Sequence, residues 1–316
     1  MVKTGLGDSY DNTIIPEKMR AFLDITKPAS SVGIMATIPF AAIIFGHLTH
    51  GEGVVFLLDN WATTIYASVT FFLIHGASQA MNMSEDAHID KQTDHKQNRP
   101  IPSGVIEKET ARSLAWIFMF VGIMRAFTIT REFGMYAIVL SFFGIFYNLK
   151  PFRLKEKLWV NLCWQAASRG LLLYPATFAV WGEMWNPVAW TMGIASFILV
   201  LAMQNTADFA DVNIDEEFGV ITPAVYHGLN SLTLIMAGLS LLMFGFITVS
   251  IGIGWIPNFW SLYVLLIPIT WSLWSLWKDP RDISGLSGNH FSWYVFYLSL
   301  ASMYILPALQ LVLMAD

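Results

Sequence analysis

Charge is what this sequence has least of. Only 13% of its 316 residues are Asp, Glu, Lys or Arg, against about 25% in an average soluble domain, and no polar stretch between the apolar runs is long enough to fold as a soluble domain. Its single cysteine, Cys163, lies inside an apolar segment, which excludes an internal disulfide and argues against a thiolate metal site. The first 28 residues lack the charged start, short apolar core and small-residue cleavage site of a secretory leader. The first apolar run is therefore expected to act as its own insertion signal. Base is missing locally as well: no Lys or Arg occurs between Arg169 and Lys278.

What the chain does have is hydrophobic length. It is 55% hydrophobic with 23 Phe and 13 Trp, and runs of roughly 20 apolar residues, enough to cross the hydrocarbon core as a helix, recur from end to end. They predict an all-α membrane protein with nine spans near residues 30–48, 61–82, 113–130, 132–148, 158–181, 188–207, 229–251, 258–277 and 289–313. A single integral-membrane domain over 1–316 is expected, with residues 1–28 as a cytoplasmic N-terminal segment. Lys and Arg in short loops stay on the cytoplasmic side. Lys3, Lys18, Arg20 and Lys27 precede the first span, Lys91, Lys96, Arg99, Lys108 and Arg112 follow the second, Lys150, Arg153, Lys155 and Lys157 follow the fourth, and Lys278 and Arg281 follow the eighth. With nine spans all of these fall on one side, placing the N-terminus in the cytoplasm and the C-terminus outside, and leaving only Arg131 in the opposite loops.

Against that background, two acidic clusters stand out. Asn82, Asp86 and Asp90 are spaced four apart at the end of the second span, one above the other on a helical face. After the sixth span come Asp208, Asp211 and Asp215, expected on one face by their three- and four-residue spacing, with Glu216 and Glu217 beside them. Each set ends an even-numbered span, four spans apart, as in a weak internal duplication. Carboxylates one turn apart at a water–membrane boundary suit Mg²⁺, which takes oxygen ligands and shares them with water and phosphate. They suit zinc poorly without His or Cys in reach. His88 points off the Asp86–Asp90 face, and His88 and His95 read as solvated or capping residues, as Asp94 does despite continuing the spacing.

The nearby cations fit a diphosphate bridged by metal on one side and Lys or Arg on the other. Arg99, Lys150, Arg153 and Lys155 are candidates for that contact, whereas Lys108, Arg112, Lys157, Lys278 and Arg281 are explained by topology alone. Arg125 and Arg169 lie within spans, where an arginine is costly enough to face the bundle interior. Arg169, flanked by Ser168 and Gly170, is a candidate cavity-lining residue.

These motifs resemble the UbiA superfamily of intramembrane prenyltransferases. The first is N82-x-x-x-D86-x-x-x-D90 followed by RPIPSG at 99–104. The second is DVNIDEEFGVITPAVYHG at 211–228, with Asp211, Asp215, Gly219, Thr222 and Gly228 in the family's positions. YNLKPFRLK at 147–155 is similar to the family's Tyr-and-Lys motif. The resemblance spans essentially the whole chain. It implies nine helices around a central cavity capped on the cytoplasmic side by the acidic motifs. Asn82, Asp86, Asp90, Asp208, Asp211 and Asp215 then organise Mg²⁺. Arg99 and Lys155, with Arg153, Lys150 and Asn82, contact the diphosphate of a polyprenyl donor, and Tyr147 lies near the reacting carbon or a phosphate oxygen. Ionisation of the allylic C–O bond gives a carbocation that a lipophilic acceptor captures, in lipid, quinone or related isoprenoid biosynthesis. A dry apolar and aromatic wall protects the cation from water.

Met83 and Ile214 stand where many members have Asp and Gly. The Asp208–Asp211–Asp215 triple and RPIPSG look like the archaeal digeranylgeranylglyceryl phosphate synthases, the Asp90–Arg99 interval like haem O synthases, and RPIPSG with PFRLK like chlorophyll synthases. Two alternatives remain at this point: a UbiA-type terpene cyclase, in which the cation closes on itself, and a cation-coupled secondary transporter. Against the transporter, the carboxylates end helices at one rim instead of meeting at the midplane.

Overall fold

The structure is a computed structural model that describes residues 16–92, 96–210, 212–217, 219–282 and 290–314. Asp211, Asp94 and His95 lie outside these. The described residues are helical, with no strand among them. The helices are α1 (Glu17–Asp24), α2 (Pro28–Met35), α3 (Thr37–His50), α4 (Gly53–Asp59), α5 (Trp61–Asp90), α6 (Lys108–Ile129), α7 (Arg131–Asn148) and α8 (Leu158–Ala166). They continue with α9 (Leu173–Ala179), α10 (Pro187–Met203), α11 (Val212–Glu217), α12 (Pro223–His227), α13 (Leu229–Gly252), α14 (Leu266–Lys278) and α15 (Ser292–Leu313).

Six of the helical stretches are long and apolar enough to cross a membrane, and α4 with α5, bent by 80° at Asn60, makes a seventh if the pair is one span. The two other expected spans take different forms. Residues 131–148 form a single 18-residue helix, and 158–179 are α8 and α9 joined through a π-helical turn at Ala167–Leu171.

The 30 residues of α5 extend roughly 45 Å at 1.5 Å per residue, well beyond a hydrocarbon core of about 30 Å. The surplus is the polar end that carries Asn82, Asp86 and Asp90. Small residues let neighbouring helices close on α5. Ala77, Ala80, Ala111 and Ala115 are fully buried in one cluster with Met81, Met83 and Met119, which also takes in Ala21, Ile25, Ile101 and Ile106. Close helix packing through small side chains replaces the hydrophobic drive that lipid removes. This cluster fixes α1 and the RPIPSG turn under the end of α5. The turn itself is closed by Ser103 N–H to Arg99 O and Ile106 N–H to Pro100 O, both 3.0 Å.

The larger core is centred on α10, apolar all round and buried on most sides, as expected of a helix surrounded by others. It packs against α13, α8, α9, α15 and the π-helical turn. Gly170 explains one of these contacts, because a Cβ there would come 2.6 Å from the backbone of Phe197. The small residue beside Arg169 thus admits a helix. At the end of the bundle away from the acids, Phe45, Phe56, Phe178 and Trp181 pack together, with Phe45 and Trp181 stacked at 5.2 Å. Most tryptophans face outward, including Trp61, Trp185, Trp260, Trp271 and Trp274.

Arg125 departs from the expected interior position. It is half-buried near the far end of α6, lies 3.6 Å over the Tyr66 ring, and donates to Thr70 Oγ1 and Tyr66 O at 3.3 and 3.2 Å. A cation–π contact and a carbonyl on the adjacent helix satisfy the guanidinium locally.

Candidate active site

Asp86 is the hub of the polar end of α5. Its Oδ1 accepts from Lys155 Nζ at 2.6 Å and from Arg153 Nη2 at 3.1 Å, while Oδ2 accepts from the Asn82 amide at 3.1 Å. One turn on, nearly fully buried Asp90 accepts from Arg99 Nη1 at 2.7 Å. Arg153 also pairs with Glu156. Four of the residues singled out by sequence, Asp86, Asp90, Arg99 and Lys155, are therefore joined in charge-assisted bonds, the stronger class of hydrogen bond, and Arg153 and Asn82 complete the group. Burial is the main influence on Lys155 and lowers its pKa, with the Asp86 carboxylate working against that shift.

Local backbone supports this arrangement. The chain leaves α7 through a tight loop in which Arg153 N–H bonds Leu149 O at 2.8 Å, and Arg153 adopts a left-handed conformation, φ 38°. That conformation costs a non-glycine residue about 1–2 kcal/mol, and the Asp86 and Glu156 pairs offset it. Lys150 takes no part. It is exposed, lining a surface hollow with Pro151, Phe152, Arg153, Glu156 and Lys157.

Lys27 enters the sequence reading only as one of the basic residues before the first span. It sits at the start of α2 with φ 46°, makes no ion pair among the described residues, and lies within electrostatic range of Arg99, Asp90, Arg169 and Lys96. Burial, reinforced by Arg99, pushes its pKa down to about 7. The only available signal was a lysine directly before Pro28 at the head of the first span. Deeper in the bundle, Arg169 on the π-helical turn donates to Gln204 Oε1 at 3.1 Å, and His75 bonds Ser30 Oγ at 2.9 Å. Such π-turns in α-helices are frequent at functional sites. Half-buried Tyr147 lies within charge range of Arg169, Asp208 and Asp86, and so of both motifs.

The second motif is built differently from the expected single helical face. Helix α10 ends at Met203, a 3₁₀ turn covers Gln204–Ala207, Asp208 sits in a turn, and Asp215 lies on the separate six-residue α11. The cause is local. Asn205 Nδ2 donates to Leu201 O and Thr206 Oγ1 to Met203 O, engaging carbonyls in side-chain bonds that compete with helix continuation. After α11 the chain turns at Gly219, φ 68°, and Thr222 caps α12 by accepting from Val225 N–H at 3.4 Å. Gly219 and Thr222 are thus scaffold for the motif.

Among the described residues no three His, Cys, Asp or Glu side chains converge as a ready-made metal cluster. The donor set still fits Mg²⁺: within hydrogen-bond or charge range of one another lie amide and carboxylate oxygens and no thiolate, and no described donor reaches Asn82 Oδ1. His88 is exposed on the opposite side of α5, as its spacing predicts.

The longest helix of this bundle thus carries a carboxylate–cation rim, and Tyr147 lies within charge range of both that rim and Asp208 of the second acidic segment. The chain belongs to the UbiA prenyltransferase family, whose model matches residues 40–295. It is 27% identical over 213 residues to the digeranylgeranylglyceryl phosphate synthase of Methanosphaera stadtmanae, covering 66% of this chain and 70% of that one. It is 23% identical over 289 residues to the protoheme IX farnesyltransferase of Aromatoleum aromaticum, covering 81% and 86%. Its fold is that of a UbiA homologue from Archaeoglobus fulgidus solved bound to DMAPP and Mg²⁺, with TM-score 0.60, 15% identity, and coverage of 93% of this chain and 99% of that one. The protein is a multi-pass membrane prenyltransferase by family.

Proposed function

We propose that the protein transfers a polyprenyl group from a polyprenyl diphosphate to a lipophilic acceptor, with Mg²⁺ as the metal. The observation that carries this reading is Asp86 gathering Lys155 and Arg153 on one oxygen and the Asn82 amide on the other. Bound Mg²⁺ would neutralise the diphosphate and stabilise its departure. Asn82, Asp86, Asp90, Asp208, Asp211 and Asp215 are the oxygens that would hold it. Lys155, Arg153 and Arg99, oriented by their carboxylate partners, donate to phosphate oxygens, and Lys27 adds a further positive charge from the head of α2. Tyr147 and Arg169 line the approach to the allylic carbon, and the apolar bundle below excludes water.

The nine-span, N-terminus-in arrangement follows from counting α7 and the α8–α9 pair as crossings. It puts both acidic motifs and the basic loops on the cytoplasmic rim and the C-terminus outside, in one domain. The acceptor is captured at the cation in the same cavity. Geranylgeranyl diphosphate and Mg²⁺, supplied to purified protein with lipid-phosphate, aromatic-acid and porphyrin acceptors, should yield a prenylated product of defined mass. Release of a cyclic hydrocarbon from the donor alone would instead mark a cyclase, and full activity in both Asp86→Ala and Asp215→Ala would end the reading.

A further inference from the structure

Asn148, the last residue of α7, has a fully buried side chain. Its Nδ2 donates to Gly144 O at 2.9 Å and to Ser78 O at 3.3 Å. Both partners are carbonyls, which only accept, so the NH₂ end of the Asn148 amide is fixed by chemistry. Its Oδ1 is thereby turned to Asn82, whose Nδ2 donates to it at 3.0 Å. The second N–H of Asn82 goes to Asp86 Oδ2 at 3.1 Å, again an acceptor. Two acceptors flank the Asn82 nitrogen and both its hydrogens are used. Its carbonyl oxygen must then face away from them, and no described donor reaches it.

The backbone is shaped for this chain of amides. A Cβ on Gly144 would come 2.9 Å from Ser78 Oγ and 3.0 Å from Ser78 Cβ. Glycine there lets α7 approach α5 closely enough for a short amide to span from one helix to the other. Ser78 lies one helical turn before Asn82, so Asn148 grips α5 at a backbone carbonyl and at the functional side chain together.

We propose that Asn148 is a positioning residue that locks the Asn82 amide with its oxygen presented to the metal–diphosphate site. This inference rests on the reading of Asn82 as a metal ligand. A freely rotating Asn82 amide would offer its NH₂ to the cation about as readily as its oxygen, so the lock should matter for metal affinity more than for folding. Loss of the partner that orients a metal ligand weakens binding by about 10- to 100-fold.

The test is a double-mutant cycle read by titrating Mn²⁺ into purified protein with inorganic diphosphate, using calorimetry, with thermal melts as a check on folding. Asn148→Ala should weaken Mn²⁺ binding about ten-fold, and Asn82→Ala/Asn148→Ala should bind no more weakly than Asn82→Ala, because the first residue acts only through the second. Asn148→Ser, which retains a hydroxyl and a smaller void, should fall between wild type and Asn148→Ala and covers the case in which the alanine variant does not fold. Unchanged Mn²⁺ affinity in the folded Asn148 variants, or additive losses in the double variant, would overturn the positioning role alone. An unchanged affinity in Asn82→Ala would remove the ligand itself and overturn the underlying reading with it.

Discussion

The two acidic motifs both repeat about once per helical turn, every four residues in the first and after three and then four in the second, and are built in opposite ways. Asn82, Asp86 and Asp90 ride on the end of one unbroken 30-residue helix, braced by ion pairs from the loops after α5 and α7 and by an amide from α7. Asp208 and Asp215 belong to a segment made of a 3₁₀ turn, a further turn and a short helix, held by a glycine turn and a threonine cap. The contrast teaches that similar spacings can be carried by one long helix or by short pieces joined by turns. It also shows why spacing alone is an incomplete guide, since the same pattern reads as a helix only where nothing nearby competes for its carbonyls.

The strongest test of this contrast pairs Asp86→Ala with Asp215→Ala. Both should reduce prenyl transfer by about a thousand-fold or more, in line with loss of transition-state charge stabilisation. Asp86→Ala should also lower thermal stability markedly, because Arg153 and Lys155 would lose the carboxylate they share. Breaking a buried pair costs about 3–5 kcal/mol, and partial solvation of Asp86 trims that figure. An unchanged melting temperature in Asp86→Ala would remove its bracing role from the comparison.

Next in size, Lys155→Met should lower kcat about a hundred-fold with little change in melting temperature. Overpacking comes after it: Gly144→Val should separate α7 from α5 at Ser78 and cost about 1–3 kcal/mol in a denaturation assay, whereas a side chain at Gly219 should disturb only the second motif's turn.

A pH effect follows from Lys27. With its pKa near 7, the ammonium is charged below that pH and neutral above it, so donor affinity in the wild type should weaken as pH rises through 7 to 8. Lys27→Arg should flatten that profile, because arginine stays charged. The stability term has the opposite sense. The unfolded chain holds the proton up to about pH 10.4, so between 7 and that value the unfolded state binds more protons and stability rises with pH. The smallest effect is expected from His88→Ala on the exposed side of α5, which should leave activity unchanged and stability within about 0.5 kcal/mol.

The first motif was legible in the sequence because a long apolar run fixes the helical phase, and the phase fixes which oxygens align. Arg99, Arg153 and Lys155 are legible as loop cations and pair with Asp90 and Asp86, although Lys150, from the same loop as Arg153, is exposed. Asp208 leaves the helical face that its spacing predicts, because Asn205 and Thr206 engage the carbonyls of Leu201 and Met203 in side-chain bonds that no hydropathy period reveals. Lys27 was hidden for a different reason: its neighbours in space, Arg99 and Arg169, are remote in sequence, so its burial is a property of tertiary packing. Asn148 was equally silent, an ordinary polar residue at a helix end until α5 is laid beside it. Most tryptophans face outward, whereas most of the described phenylalanines are buried or half-buried, a division that composition could not single out.

The π-helical turn at Ala167–Leu171 has a consequence for how this chain tolerates change. Such a turn holds one residue more than the α-helix around it, so it behaves as an insertion scar. Deleting a single residue there would restore plain helical winding with the flanking segments still in phase, because the turn already absorbs the extra residue. Tyr174, stacked on Tyr304 at 4.2 Å, would keep its partner, while the widened turn that carries Arg169 to Gln204 at 3.1 Å would be lost. A one-residue deletion within the segment should therefore fall on Arg169 and leave the bundle beyond it in register, whereas the same deletion in the plain helix of α10 would rotate everything beyond it by about 100°.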